Sequence, residues 1–379
     1  MTTQARKIAI ISSSAAALAN FRGPLIEELS RRGFIVGTFA PDFTPALKAT
    51  MRACGAEPLD YTLQRTGTNL RHDLASVGDL ARRLSRYSPD IVLSHFMKPV
   101  IYGTIAAAIA RVPNRYAMIE GLGYAFTDTG ERSLRRAAVR TVMQTLLRLA
   151  LRRARRVIFL NDDDREELVR LKIAPPDRAV VLGGIGLRLG DFAYTPVASN
   201  GPAVFLMIGR LIREKGVVDF VEAARLTRLR CPDARFILVG GLDPKPEALS
   251  YDQVQTWVDE GVIEWPGEIE DVRPYLREAT VYVLPSYREG VPRSTQEAMA
   301  VGRAVITTDV PGCRATVDPD INGFLVPARD PVALAEAMVK LANNRALTLK
   351  MGQESRRIAE ERFDVDIVNA RLLKIMEIE

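Results

Sequence analysis

Short apolar runs alternate with amphipathic stretches of helical period along the whole chain. KIAIISS (7–13), FIVGTFA (34–40), DIVLS (90–94), RYAMI (115–119) and RVIFL (156–160) form one series of predicted strands. AVFLMIG (203–209), RFILVG (235–240), VIEWPG (262–267), VYVLP (281–285) and AVITT (304–308) form a second. Their apolarity is continuous rather than alternating, which suits strands buried on both faces of a parallel sheet. PLIEELSRRG (24–33) and VDFVEAARLTRLR (218–230) carry the helical period between them. Strand–helix–strand units repeated in two series predict an α/β chain of two doubly wound, Rossmann-like halves. Pro and small polar residues cluster in TPVASNGPA (195–203), just before the second series, so the expected domains are 1–195 and 196–379. The expected ligand position is a central cleft between the halves, at the C-terminal ends of the strands. The helical pattern after Phe363 is expected to pack back across the seam.

Composition adds bounds to this picture. At 379 residues the chain is long enough for two ordinary domains, and 47% hydrophobic with 26% charged residues is a globular balance. A net charge of +6 favours anionic partners without choosing among nucleotide phosphates, lipid head groups and nucleic acid. Cys54, Cys231 and Cys313 are scattered and odd in number, which implies no disulfide framework and points to a reducing compartment. His72 and His95 are the only histidines, so a histidine-rich metal site is excluded. No apolar run approaches the length of a membrane span. The N-terminal MTTQARKIAII passes straight into a strand and predicts no signal peptide.

The richest chemistry lies in SYREGVPRSTQEAMAVGRAVITTDVPG (286–312). Glu289 and Glu297 stand eight residues apart across a Gly-Val-Pro turn. Pro292 breaks the chain between them, which puts Glu289 on the loop after a strand and Glu297 one turn into a helix. Free backbone N–H groups and the helix dipole between them suit an anion, and the carboxylates accept hydrogen bonds from hydroxyls at its two ends. A nucleotide sugar has that shape. Taken alone, two such acids are better explained as solvated surface residues. The apolar run Ala-Met-Ala-Val-Gly after Glu297 argues for burial, and a buried carboxylate needs a partner. Upstream, Gly209-Arg210-Leu211 and Glu214-Lys215-Gly216 follow the first strand of the second half. Arg offers a planar fork and Lys a mobile point charge to a diphosphate. Each close contact is worth roughly 4 kcal/mol at an effective dielectric of about 20, before desolvation is subtracted.

Together, GRLIREKG (209–216), the paired glutamates, AMAVGRAVITTDVPGCR (298–314) and NGFLVP (322–327) resemble the retaining GT-B glycosyltransferases of family 4, over essentially the whole C-terminal half. TTDVPGCR, with NFRG, KPVIYG and GLGYAF in the first half, is similar to the branch that builds polyprenyl-diphosphate-linked oligosaccharides for capsules, exopolysaccharides or glycoproteins. The resemblance implies that Glu289 contacts the donor sugar and Glu297 the ribose hydroxyls. It places Arg210 and Lys215 at the diphosphate, with Gly209 beside them. Gly290, Val291, Pro292 and Ser294 approach the sugar and phosphate, and Trp265 and Gly267 fall where the base is held. Ala315 departs from the family's usual Glu, and Leu187-Arg188 from its usual Val-Asp.

The first half is less specific. His95 follows a strand and stands at a cleft mouth, where related enzymes place a donor-sugar contact; a satisfied structural histidine is the plainer reading. Lys98 is a partner for the acceptor's phosphate. The loop SSSAAALANFRG (12–23) lacks a glycine-rich cradle, but Asn20 and Arg22 are placed to reach an acceptor anion. EGLGYAF (120–126) reads as an acceptor-side loop, because Gly121 and Gly123 permit close backbone approach. Asp162-Asp163-Asp164 reads as the acidic first turn of a helix rather than a metal site. Residues 132–156 hold nine arginines around an apolar arc of Val139, Val142, Met143, Leu146 and Leu149, a basic amphipathic helix suited to an anionic bilayer, with core packing as the alternative. The stretch has no aromatics for stacking, so nucleic acid is not the expected partner.

These observations converge on a sugar transferase at the cytoplasmic membrane face, and the resemblance implies that it retains anomeric configuration. Its expected donor is a UDP-hexose or UDP-N-acetylhexosamine and its acceptor a polyprenyl-diphosphate-linked sugar, with no cofactor and no required metal. The expected catalytic group is Glu289, Arg210, Lys215 and His95. A GT-B-fold nucleotide-sugar isomerase shares the architecture and would need acid–base side chains near the sugar. A non-catalytic nucleotide-sugar binding protein is the other alternative.

Overall fold

The computed structural model describes residues 5–63, 70–123, 134–198, 200–243 and 248–378, the side chains of 70–73 and 134–139 excepted. It divides into two compact units, residues 1–185 with 368–379, and residues 186–367.

The first unit is built as β1 (Lys7–Ile11), α1 (Ala15–Arg31), β2 (Ile35–Ala40), α2 (Pro45–Ala53), β3 (Ala56–Asp60), α3 (Leu70–Tyr87), β4 (Ile91–His95), α4 (Met97–Ile109), β5 (Asn114–Ile119), α5 (Leu134–Leu151), β6 (Arg156–Phe159), α6 (Asp162–Arg170) and β7 (Ala179–Val181). Its seven strands run in the order β3-β2-β1-β4-β5-β6-β7, all parallel. The interior strands are the predicted ones, and Ile8, Ala9, Ile10, Val92, Leu93 and Ala117 are fully buried. The order reverses between β1 and β4, which opens a crevice at their C-terminal ends.

The second unit follows with β8 (Val204–Ile208), α7 (Val217–Arg228), β9 (Arg235–Val239), α8 (Tyr251–Asp259), β10 (Glu264–Gly267), α9 (Arg273–Glu278), β11 (Val281–Leu284), α10 (Arg293–Val301), β12 (Ala304–Thr308), β13 (Gly323–Val326), α11 (Pro331–Ala342) and α12 (Arg345–Arg362). The strand order β10-β9-β8-β11-β12-β13 is again wholly parallel, and its reversal lies between β8 and β11.

The last helix, α13 (Val365–Ile375), leads into the tail that belongs to the first unit. There Tyr116 donates to the Met376 carbonyl at 2.6 Å, and Arg371 Nη1 to the Leu182 carbonyl at 3.0 Å. Residues 186–195 lie in the second unit. Arg356 Nη1 anchors them by donating to Phe192 O at 3.1 Å, and the Tyr194 ring lies against Gly302.

The predicted loop at 12–23 is mostly helix. Ser14 caps α1 by accepting from Ala17 N, and the Ala-rich start carries the helix through Gly23 and Pro24. Pro24 forfeits only one helical hydrogen bond, which packing of Leu18, Leu25 and Ile26 outweighs. Asn20 and Arg22 are therefore helical positions. Asp162-Asp163-Asp164 forms the acidic first turn of α6 as expected, and the N-cap is Asn161, whose Oδ1 accepts from Asp164 N at 2.8 Å.

Candidate active site

The two switch points gather the candidate residues. In the second unit Arg210 and Lys215 follow β8, and Glu289 follows β11, the neighbouring strand across the reversal. Two glycines let these loops meet. Gly216 has φ 73°, and a Cβ there would fall 2.0 Å from Pro285 O. Gly312 has φ 77°, and a Cβ would fall 2.2 Å from Glu289 O. No side chain fits at either place.

The result is a direct ion pair between Lys215 Nζ and Glu289 Oε1, with side chains only 22% and 12% exposed. Ser286 Oγ donates to the same carboxylate oxygen at 2.7 Å, and Glu289 N donates to Pro311 O at 3.0 Å. Buried Cys313 lies behind; burial, with Glu289 adding to it, pushes its thiol up to about 12.

Glu297 sits in α10, whose N-cap Pro292 supplies no capping side chain, and the dipole of the helix favours an anion at this end. Arg293 Nε donates to Glu297 Oε1 at 2.9 Å. Burial pushes the Glu297 carboxyl up, and Arg293 opposes it. Tyr282, fully buried on β11, donates to Ser294 Oγ at 2.6 Å. Burial drives its phenol up, Ser294 opposes this, and Glu297 and Glu289 both add to the rise, so the two acids lie within electrostatic range of one side chain. Val291 is buried, and its carbonyl accepts from Gln296 Nε2 at 3.2 Å.

Arg210 is placed differently from Lys215. Its guanidinium, 57% exposed, donates to Asp243 Oδ2 at 2.7 Å, beyond the end of β9. Trp265 on β10 donates its indole N–H to Gly240 O at 2.9 Å, and Gly240 N donates to Gly267 O at 2.9 Å. Trp265 and Gly267 thus edge the same strand ends as Gly209, whose N–H donates to Val239 O at 3.0 Å.

In the first unit, three side chains converge at the other switch point. Arg22 of α1 pairs with Glu120 Oε1, and His95 Nδ1, at the end of β4, bonds the same oxygen at 2.9 Å. His95 is fully buried and Arg22 is 2% exposed. Burial pushes the Glu120 carboxyl up, but Arg22 and then His95 outweigh it and hold it at about 2. Burial pushes the His95 imidazole down, so the ring is neutral. Its proton then lies on Nδ1, donated to Glu120, and Nε2 is an acceptor. Nε2 has no partner among the described residues. Phe96 beside it has φ 68° and ψ 154°, a conformation almost confined to glycine and found where function imposes strain.

Residues 202–344 match the family described as Glycosyl transferases group 1, and residues 19–184 match the Glycosyl transferase 4-like domain. The chain is a glycosyltransferase built of these two family domains. It is 28% identical to N,N'-diacetylbacillosaminyl-diphospho-undecaprenol alpha-1,3-N-acetylgalactosaminyltransferase of Campylobacter jejuni, with 98% of each chain covered. It is 27% identical to UDP-Gal:alpha-D-GlcNAc-diphosphoundecaprenol alpha-1,3-galactosyltransferase of Escherichia coli, over 74% of this chain and 73% of the relative. Among solved structures it resembles Alr3699/HepE of Anabaena, in complex with UDP and glucose, with a TM-score of 0.74, 19% identity, and coverage of 98% and 99%. The two Rossmann-like units are those of the GT-B fold.

In this glycosyltransferase the structure joins Lys215 to Glu289 and sets Glu297 nearby, while Arg210 pairs with Asp243. His95 and Arg22 meet, and both turn inward on Glu120. Arg22 is committed inside the unit, whereas Asn20 is exposed on α1. Lys98 lies in the first turn of α4; Gly121 and Gly123 follow β5 with φ 132° and 64°. The rest of that loop, 124–126, lies outside the described residues. Glu120 itself was not singled out as a site residue, although a lone acid directly after a buried central strand is a legible signal. Asp243, Ser286 and Arg293 were also missed, because nothing in their local sequence names their partners.

On α5 the predicted apolar arc is not the buried face. Val142 is 51% and Leu149 43% exposed and Met143 and Leu146 are half-buried, whereas Leu147, Ala150 and Leu151, outside the arc, are buried. Arg148 donates to Lys172 O at 2.9 Å and Leu171 O at 3.1 Å, capping the end of α6 rather than facing outward. The earlier arginines, 132, 135 and 136, fall outside the described side chains.

Proposed function

We propose that this glycosyltransferase moves a hexose or N-acetylhexosamine from a UDP-sugar to a polyprenyl-diphosphate-linked sugar, with retention at the anomeric carbon. The observation that carries the reading is the Lys215–Glu289 pair at the β8/β11 switch point, beside the uncapped start of α10 and Glu297. A cation next to a helix N-terminus suits a diphosphate, and the two acids suit the sugar and ribose hydroxyls. The printed substrates of the Campylobacter and Escherichia relatives supply the acceptor class, and the UDP complex of the Anabaena protein supports the nucleotide.

In the proposed reaction the C1–O bond to the diphosphate breaks on the face that the acceptor hydroxyl attacks. The hydroxyl proton passes to the departing diphosphate oxygen, and Lys215 and Arg210 stabilise the charge that develops there. Glu289 positions the hexose. Incubation of a UDP-sugar panel with a polyprenyl-diphosphate-sugar, read by mass spectrometry and anomeric NMR, tests this. The expected product is a lipid lengthened by one sugar in the donor's configuration. An epimerised donor formed without acceptor would favour an isomerase.

The salt link to Asp243 competes with the diphosphate for Arg210. Asp243→Asn is therefore expected to tighten UDP binding, by roughly 2–5-fold given the ~0.2–1 kcal/mol of an exposed pair. Calorimetry checks it; weaker binding would show that Asp243 aims Arg210 at the ligand instead.

We also propose contact between α5 and the inner face of the plasma membrane. Exposed Val142 and Leu149 fall on one side of α5, and exposed Arg152 and Arg153 follow directly after its end, an apolar strip with cations beside it. Among the described residues no helix is long and apolar enough to cross a membrane. Val142→Ser with Leu149→Ser, and separately Arg152→Glu with Arg153→Glu, are expected to cut sedimentation with anionic vesicles several-fold. Unchanged sedimentation in both would remove this contact.

A further inference from the structure

Lys215 and Glu289 reach each other from different loops, so something must hold those loops in register. Tyr287 stands between them. Its backbone N–H donates to Glu214 O at 2.9 Å, one residue from Lys215, while the residue itself lies two before Glu289. Its phenol donates to Asp219 in the first turn of α7, four residues beyond Lys215. Arg329, in the loop after β13, closes the arrangement. Its guanidinium lies 4.8 Å from the Tyr287 ring centroid and donates to the phenol oxygen, and its backbone N–H donates to Asp219.

Two features set this cluster apart from ordinary packing. Arg329 takes φ 61°, left-handed for a non-glycine residue. Asp219 Oδ2 is buried with no partner among the described residues. A carboxylate with one oxygen buried and unpaired is a poor stabiliser. Its directional bonds do what apolar contacts cannot: they fix the rotation of the ring, and through the Tyr287 backbone the spacing of the β8 and β11 loops.

We propose that Tyr287 is a positioning residue that holds Lys215 and Glu289 in register, with Asp219 and Arg329 fixing its hydroxyl and ring. Its importance for transfer rests on the reading that this pair grips the donor, whereas the register itself does not.

The test is a double-mutant cycle on the full chain. Lys215→Met and Glu289→Gln, singly and together, are compared by urea midpoint in the wild-type and Tyr287→Phe backgrounds. The two substitutions are expected to be non-additive with Tyr287 and additive with Phe. Non-additivity that survives intact overturns the proposal. Should the Phe variant fail to fold, Asp219→Asn, which keeps the shape and removes the charge, is run in its place with the same expectation. A second readout is UDP affinity by calorimetry. Tyr287→Phe is expected to weaken it about 10-fold in the wild type and hardly at all when Lys215 is already Met, the pattern of residues acting as one unit. Equal weakening in both backgrounds would show that Tyr287 acts independently of the pair. If wild-type chain does not bind UDP, the donor reading fails, and the urea cycle alone decides the register.

Discussion

Lys215→Ala and Glu289→Ala are each expected to lower kcat/KM for sugar transfer at least ~100-fold, about 2.7 kcal/mol of lost transition-state stabilisation. The expectation follows from the shared carboxylate oxygen. Glu289 Oε1 takes both the Lys215 ammonium and Ser286 Oγ, so its position is set from two sides before any ligand arrives. Such preorganisation is what makes a charge worth more in a closed site than in water. Glu289→Gln keeps the shape and one acceptor oxygen, and should lose roughly 10-fold, since hydrogen bonds to an ion are about twice as strong as neutral ones. The double Ala variant should be little worse than either single one, because residues acting as a unit are grossly non-additive. Steady-state kinetics with thermal melts separates this from misfolding. A Lys215→Ala chain that melts normally and transfers sugar at the wild-type rate would remove the pair from the chemistry.

How far these residues could be read in advance follows from where they sit in the sheets. Interior strands, buried on both faces, announce themselves as unbroken apolar runs, and all ten predicted strands are present. The three that were not predicted, AEPLD of β3, AVV of β7 and GFLV of β13, all lie at sheet edges. An edge strand needs less burial and tolerates Pro58, so its composition does not separate it from a loop. The early helix was masked by Gly23-Pro24, a pair that usually breaks one. In the site, residues with a local reason for their place were legible: Lys215 and Glu289 follow strands and stand beside the glycines that let their loops approach. Partners joined only by the fold were not. Nothing near Arg210 marks Asp243, 33 residues on, as its partner, and nothing near Arg22 marks Glu120, 98 residues on. Arg148 shows the same limit, since its helical position pointed outward while the end of α6 claimed it.

Glu120→Ala is expected to lower the melting temperature by roughly 10 °C, the largest stability effect of any single substitution considered. Removing the carboxylate leaves the Arg22 side chain, 3% exposed, as an uncompensated buried charge. That costs about 3–5 kcal/mol, and a kcal/mol shifts a domain of this size by roughly 2–4 °C. Replacing both partners with apolar residues, Arg22→Met with Glu120→Leu, should recover much of the loss, because the penalty lies in the unpaired charge and not in the missing contact. The same cluster sets an acid limit. The Glu120 carboxyl is held at about 2, below its ordinary 4.5, and the His95 imidazole is pushed below its ordinary 6.5. Each group takes up a proton more readily in the unfolded chain than in the folded one, so stability rises with pH across both intervals. The contribution is complete above about pH 6.5. It falls first as unfolded His95 charges below that value, and again from about pH 4.5 towards 2 as Glu120 protonates in the unfolded chain. Urea midpoints from pH 8 to pH 5 should decline in the wild type and decline less in His95→Gln; a midpoint that rises on acidification would reverse the assignment of a neutral His95.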